Sequence, residues 1–216
     1  MRATTAMATA PRTRAAGPRT AVRSWLVWTA GFLVFPLAGA LGTAVAGRVD
    51  DPGAAAVGGL VAGAAVGMGQ ALAGSRRLDL LRWTVVTALG MGAGLLLGAH
   101  AVRYGTTPNE LALMGAVTGA LLGPAQALAL PRSAHHRWLW AASMPVVWAT
   151  GWAVSTAVIG DAVDAQFTLF GASGALVASA LQGVLLHLMV PRSAPAVVDR
   201  TRSIPAPTAA TTGDAS

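Results

Sequence analysis

Three glutamines, Gln70, Gln126 and Gln182, recur 56 residues apart in a chain that contains only four. A primary amide carries two donors and two acceptor lone pairs, so it can bond to another amide, to backbone or to water, but it performs no acid–base work. Each glutamine closes the same ladder of small residues. Gly59, Gly63 and Gly67 precede Gln70, Gly115, Gly119 and Gly123 precede Gln126, and Gly171, Ala175 and Ser179 precede Gln182, always at offsets 11, 7 and 3. On an α-helix these offsets fall at roughly −20°, +20° and +60° from the amide, which places ladder and amide on one stripe about 16 Å long. Such a stripe is a surface for close contact between helices, and its recurrence reads as an internal repeat.

Other residue types that could carry chemistry form no convincing constellation. His135 and His136 are adjacent to Arg137 but lack a third ligand at a metal-binding spacing, so they read as a solvated loop pair. His100 and His187 stand alone, the latter about 140° around its helix from Gln182. The run Gly90-Met91-Gly92-Ala93-Gly94 follows no strand, so the mechanism of a dinucleotide loop is missing and close backbone contact is the expected role. The chain has no cysteine, which excludes disulfides and thiolate sites. No catalytic residue, cofactor or metal is expected, and the chain is read as not an enzyme.

The elements that hold the glutamines follow from composition. With 54% hydrophobic and 11% charged residues and a mean hydropathy of +0.59, the chain is far poorer in charge than a soluble domain, where about 25% is usual. Six apolar runs have the length of about 20 residues that crosses a bilayer. They lie at Trp25 to Ala46, Gly53 to Ala73, Leu80 to Ala101, Leu111 to Leu130, Trp138 to Gly160 and Phe167 to Val190. The expected fold is all-α, an integral membrane bundle of six transmembrane helices arranged as three parallel helical hairpins of about 56 residues. Residues 23–192 form the membrane domain, and residues 1–22 and 193–216 are polar tails expected to be disordered. The first run is longer than the apolar core of a cleavable leader and is expected to be retained.

Charge placement orients the chain and excludes one class of partner. All 15 basic residues are arginine, and 13 of them, with three of the eight acids, lie in the two tails, the second joint and the fourth joint. Only Arg48 and Arg103 share the other side with the remaining five acids. The positive-inside rule then places both termini in the cytoplasm of a plasma-membrane protein. The arginines are read as contacts for anionic lipid at the cytoplasmic face of the bilayer, not for nucleic acid. Trp25, Trp28, Trp83, Trp138 and Trp140 open the odd-numbered spans and are expected to anchor at the headgroups. Trp148 and Trp152, near Pro145 and Gly151, are expected to fill core space.

If the second, fourth and sixth spans face a common axis, their stripes pack together and the three glutamines form a polar layer. That layer has two readings: a clamp fixing helix register, or the lining of a path for water, a small neutral solute or an ion. The expected function is a structural or accessory membrane component, with a passive channel or facilitator as the alternative. The ladders ending in Gln70-Ala71-Leu72, Gln126-Ala127-Leu128 and Gln182-Gly183-Val184, with Arg-Trp starts at Arg82 and Arg137, resemble a loosely defined group of bacterial multi-pass proteins built from Gly-rich, Gln-containing helix pairs. Members often have Trp after the Gln, where this chain has Ala71, Ala127 and Gly183. The resemblance covers about Trp25 to Arg192 and implies an integral membrane protein, with no activity, cofactor or catalytic residue attached.

Overall fold

A computed structural model describes residues 18–74, 77–160 and 169–189. Its elements are α1 (Pro18–Ala30), a 3-10 turn (Gly31–Leu33), α2 (Val34–Ala46), α3 (Pro52–Gly74), α4 (Leu80–Ala101), α5 (Pro108–Ala129), α6 (Arg137–Ile159) and α7 (Ala172–Met189). With α1 to α2 taken as one span, six helices are long and apolar enough to cross a membrane. This is a multi-pass, all-helical membrane protein. The helices start and stop close to the expected limits, except that α1 begins at Pro18 and so includes the end of the expected tail. The rest of both tails, and the expected start of the sixth span at Phe167, lie outside the described residues.

Local chemistry sets the ends. Thr107 and Glu110 form a reciprocal capping box at α5: the Thr107 hydroxyl accepts from the Glu110 amide, and Glu110 Oε2 accepts from the Thr107 amide at 2.9 Å, with Pro108 as the first helical residue. Asp79 caps α4 by accepting from the Arg82 amide at 2.7 Å. Gly47 and Gly160 end α2 and α6 with positive φ of 76° and 64°, a conformation that side-chain-bearing residues rarely adopt. The first span is interrupted because Pro36 has no N–H for the Phe32 carbonyl one turn earlier, and the 3-10 turn lies at that point. Thr107→Ala is expected to cost about 1 kcal/mol, read as a lower unfolding midpoint in detergent.

Each span contacts the next, and α7 returns to α1 and the 3-10 turn, so the six spans close into a ring. The most extensive contacts join α3 to α4 and α5 to α6. Phe170, just before α7, fills the interior with its ring 5.4 Å from Phe35 and edge-on to Trp148 and Trp152 at 5.0 and 5.9 Å. Gly151 makes room for it, since a Cβ there would meet Phe170 Cζ at 2.9 Å. The expected space-filling role of Trp148 and Trp152 is what these contacts describe.

Candidate functional site

The ladders do not pack on one another. A Cβ at Gly59 would meet the Met91 carbonyl at 2.8 Å, one at Gly63 the Ala88 Cα at 2.8 Å, and one at Gly67 the Thr84 Cα at 2.9 Å, so the first ladder lies flat on α4. The second lies on α6: Gly115 faces the Trp148 carbonyl at 2.8 Å, Gly119 the Met144 carbonyl, and Gly123 the Ala141 carbonyl at 2.7 Å. Pro145 supplies no N–H to that Ala141 carbonyl, and the Gly123 backbone lies against it instead, a place for a weak Cα–H···O contact. Among the described residues no close backbone contact joins any two of α3, α5 and α7. The stripes therefore serve pairs of neighbouring helices and not a shared axis, because a glycine surface gains most from a flat backbone neighbour.

The third ladder differs again. Gly171 precedes α7, its carbonyl accepting from the Ala175 amide at 2.9 Å, and a Cβ there would meet Ile159 Cδ1 at 3.2 Å. Ala175 and Ser179 are buried. Helix α7 approaches α6 closely at Gly174, where a Cβ would strike the Gly151 carbonyl. Gly174 lies one residue off the ladder's phase, so the repeat pattern gave no reason to single it out.

The glutamine side chains do meet. Gln70 Nε2 donates to Gln182 Oε1 at 3.0 Å, and Gln126 Nε2 donates to Gln70 Oε1 at 3.2 Å and to Thr87 Oγ1 at 3.0 Å. Two indoles complete the group: Trp83 Nε1 donates to Gln70 Oε1 and Trp140 Nε1 to Gln126 Oε1, both at 3.1 Å. Gln70, Gln126 and Gln182 are 5%, 0% and 1% exposed. Long amide side chains thus bridge helices whose backbones stand apart. The cluster contains no group that ionises near neutral pH, so its capacity is to hold helices in register or to hydrogen-bond a neutral guest.

Gln182 is the least well partnered. Its Oε1 accepts from Gln70, but its Nε2 donates only to Met144 Sδ at 3.7 Å, and sulfur is a weak acceptor. Gln70 and Gln126 each receive an indole from the helix that follows in the chain. Against α7 the corresponding surface comes from α1, where Trp25 Nε1 donates to the Ala180 carbonyl at 3.0 Å and both Trp25 and Trp28 lie against Gly183.

These bonds correct the role expected of the tryptophans. Trp83 and Trp140 are fully buried, with rings 5.9 Å apart edge to face, and Trp28 is buried too. Trp138, 68% exposed, is the member of the set that keeps an outward position. An indole N–H that finds an amide oxygen inside the bundle gains both a bond and burial of the ring, which outweighs the interfacial preference. The glycine run of α4 behaves as expected: Gly92 faces Leu60 of α3, while Gly90 and Gly94 face Leu122 and Thr118 of α5. His135 donates its backbone amide to the Met189 carbonyl at 3.0 Å, and His136 precedes α6 with φ of 53°. Among the described residues no three metal-ligating side chains come together.

No protein family, curated protein or solved structure matches this chain.

Proposed function

We propose that this chain is a structural or accessory component of the plasma membrane, without enzymatic activity, and that the glutamine cluster is a dry clamp fixing the register of its spans. The observation that carries the reading is the use of the amides: five hydrogen bonds tie Gln70, Gln126, Gln182, Thr87, Trp83 and Trp140 to one another, so that every amide oxygen of the cluster accepts from within it. A solute pathway needs such groups turned to water instead. The similar environments of the first two ladders support descent from a repeated helix pair of the kind found in the bacterial group named above. The arginine asymmetry supports cytoplasmic termini.

One cysteine series tests clamp and orientation together, because the background holds no cysteine. Single cysteines replace Asp50, Arg77, Arg103, His135, Gln70, Gln126 and Gln182, and intact cells receive a membrane-impermeant maleimide. Positions 50 and 103 are expected to label at once, positions 77 and 135 only after permeabilisation, and the three glutamine positions under neither condition. Labelling of all three glutamine positions in folded protein would replace the clamp with a passive channel or facilitator lined by the amides. Labelling of 50 and 77 from the same side would defeat the topology.

A further inference from the structure

The ring is joined differently where it closes. At α3–α4 and α5–α6, backbone lies on backbone through glycine, whereas α1 meets α7 through the rings of Trp25 and Trp28 set on Gly183. Beside those rings runs a groove of 230 Å³, lined by Ala21, Val22 and Trp25 of α1 and by Val184, His187 and Leu188 of α7. Val22, Val184 and Leu188 are exposed along it. Trp25 is held by its bond to the Ala180 carbonyl, so that wall of the groove is fixed before anything binds.

Lining and charge select the occupant. Apart from His187 the side chains that line the groove are apolar, and Val22, Val184 and Leu188 are exposed to the surrounding medium, which at this depth is hydrocarbon chain. Arg19 lies on α1 one turn from Val22, on the edge of the groove and toward the end of the span, where a phospholipid carries its phosphate. It is exposed and makes no hydrogen bond or ion pair with another described residue. Arg23 is turned about 100° from Val22 and farther from that edge. An apolar slot ending beside one uncompensated cation matches an amphiphile with a negative head.

We propose that the α1–α7 groove binds one acyl chain of an anionic phospholipid, with its phosphate held by Arg19. The site requires only that the helices span a bilayer, so it does not depend on the clamp or on which side the termini occupy.

Native mass spectrometry of the intact protein, released from bilayers containing equal phosphatidylglycerol and phosphatidylcholine, tests the site. The wild type is expected to retain one phosphatidylglycerol. Arg19→Gln is expected to lower the retained phosphatidylglycerol-to-phosphatidylcholine ratio about fivefold, the worth of one interfacial cation, and Arg23→Gln to lower it less. Val184→Trp, which fills the slot, is expected to abolish retention of either lipid, while Leu81→Trp on an exposed face elsewhere leaves it intact. An unchanged ratio in Arg19→Gln would overturn the proposal. So would a lipid-free dimer, which would make a second copy the occupant. Should Val184→Trp fail to fold, the arginine pair decides alone.

Discussion

Gly119→Leu is expected to destabilise the bundle by about 3 kcal/mol or more, at or beyond the upper end for overpacking a core. The position lies flat against α6, where a Cβ would strike the Met144 carbonyl and approach the Pro145 Cα at 2.8 Å. A neighbouring side chain can rotate away, but a helix backbone moves only as a unit. The substitution must therefore push α6 off α5 along the whole ladder or leave the protein unfolded in detergent. Gly119→Ala already inserts the offending Cβ and is expected to cost about 1–3 kcal/mol. Ala120, the next residue, is exposed on the outer face, so Ala120→Leu is expected to lie within about 0.5 kcal/mol of wild type. Unfolding midpoints for the three variants check the gradient; equal midpoints for Gly119→Leu and Ala120→Leu would remove the ladder from the α5–α6 contact.

The second large effect distinguishes the glutamines from one another. Gln126→Leu leaves the Trp140 N–H without its amide acceptor and takes a donor from both Gln70 Oε1 and Thr87 Oγ1. Gln70→Leu strands the Trp83 N–H and leaves Gln182 Oε1 without its donor. A buried donor left unpaired costs about 1–3 kcal/mol, and each lost interhelical bond about 0.6–2 kcal/mol, so either change is expected to cost about 2–4 kcal/mol. Gln182→Leu gives up one amide bond and a contact to sulfur and leaves a single Gln70 N–H without its acceptor, and is expected to cost about 1–3 kcal/mol, the least of the three. Steric-trapping or chemical unfolding in bicelles would order the three. A double-mutant cycle between Gln70→Leu and Trp83→Phe should show non-additivity, because the second change removes the donor that the first one orphaned. Equal costs at all three positions would mean that burial, not hydrogen bonding, sets the energies.

Much of this arrangement could be read from residue order. Spans were legible because bilayer thickness demands long apolar runs, and the offsets of 11, 7 and 3 set Gly63 and Gly119 on one face of their helices. What they could not reveal was the neighbour. A small-residue stripe specifies that something flat lies against it, and α4, α6 or a shared axis satisfies that equally. Tryptophan was ambiguous for a related reason: its amphipathic ring suits a headgroup and a buried amide alike, and only the third dimension placed Trp83 beside Gln70. Gly174 escaped notice because the ladder pattern pointed to Gly171 and Ala175 on either side of it. The break near Gly31 had a signal in Pro36, whose missing N–H frees a carbonyl one turn back.

The bond from Trp25 to the Ala180 carbonyl closes a loop of 155 residues, whereas α3 to α4 and α5 to α6 are sequential neighbours. During synthesis at about 5–20 residues per second, α1 waits roughly 8–30 s after it emerges before α7 exists to meet it. Loop-closure cost favours early pairing of the inner hairpins through local contacts and closure of the ring last, by its two ends. Until then Gln70 and Gln126 sit in a membrane without Gln182, and one flank of α1 is open to whatever the insertion machinery or the bilayer presents.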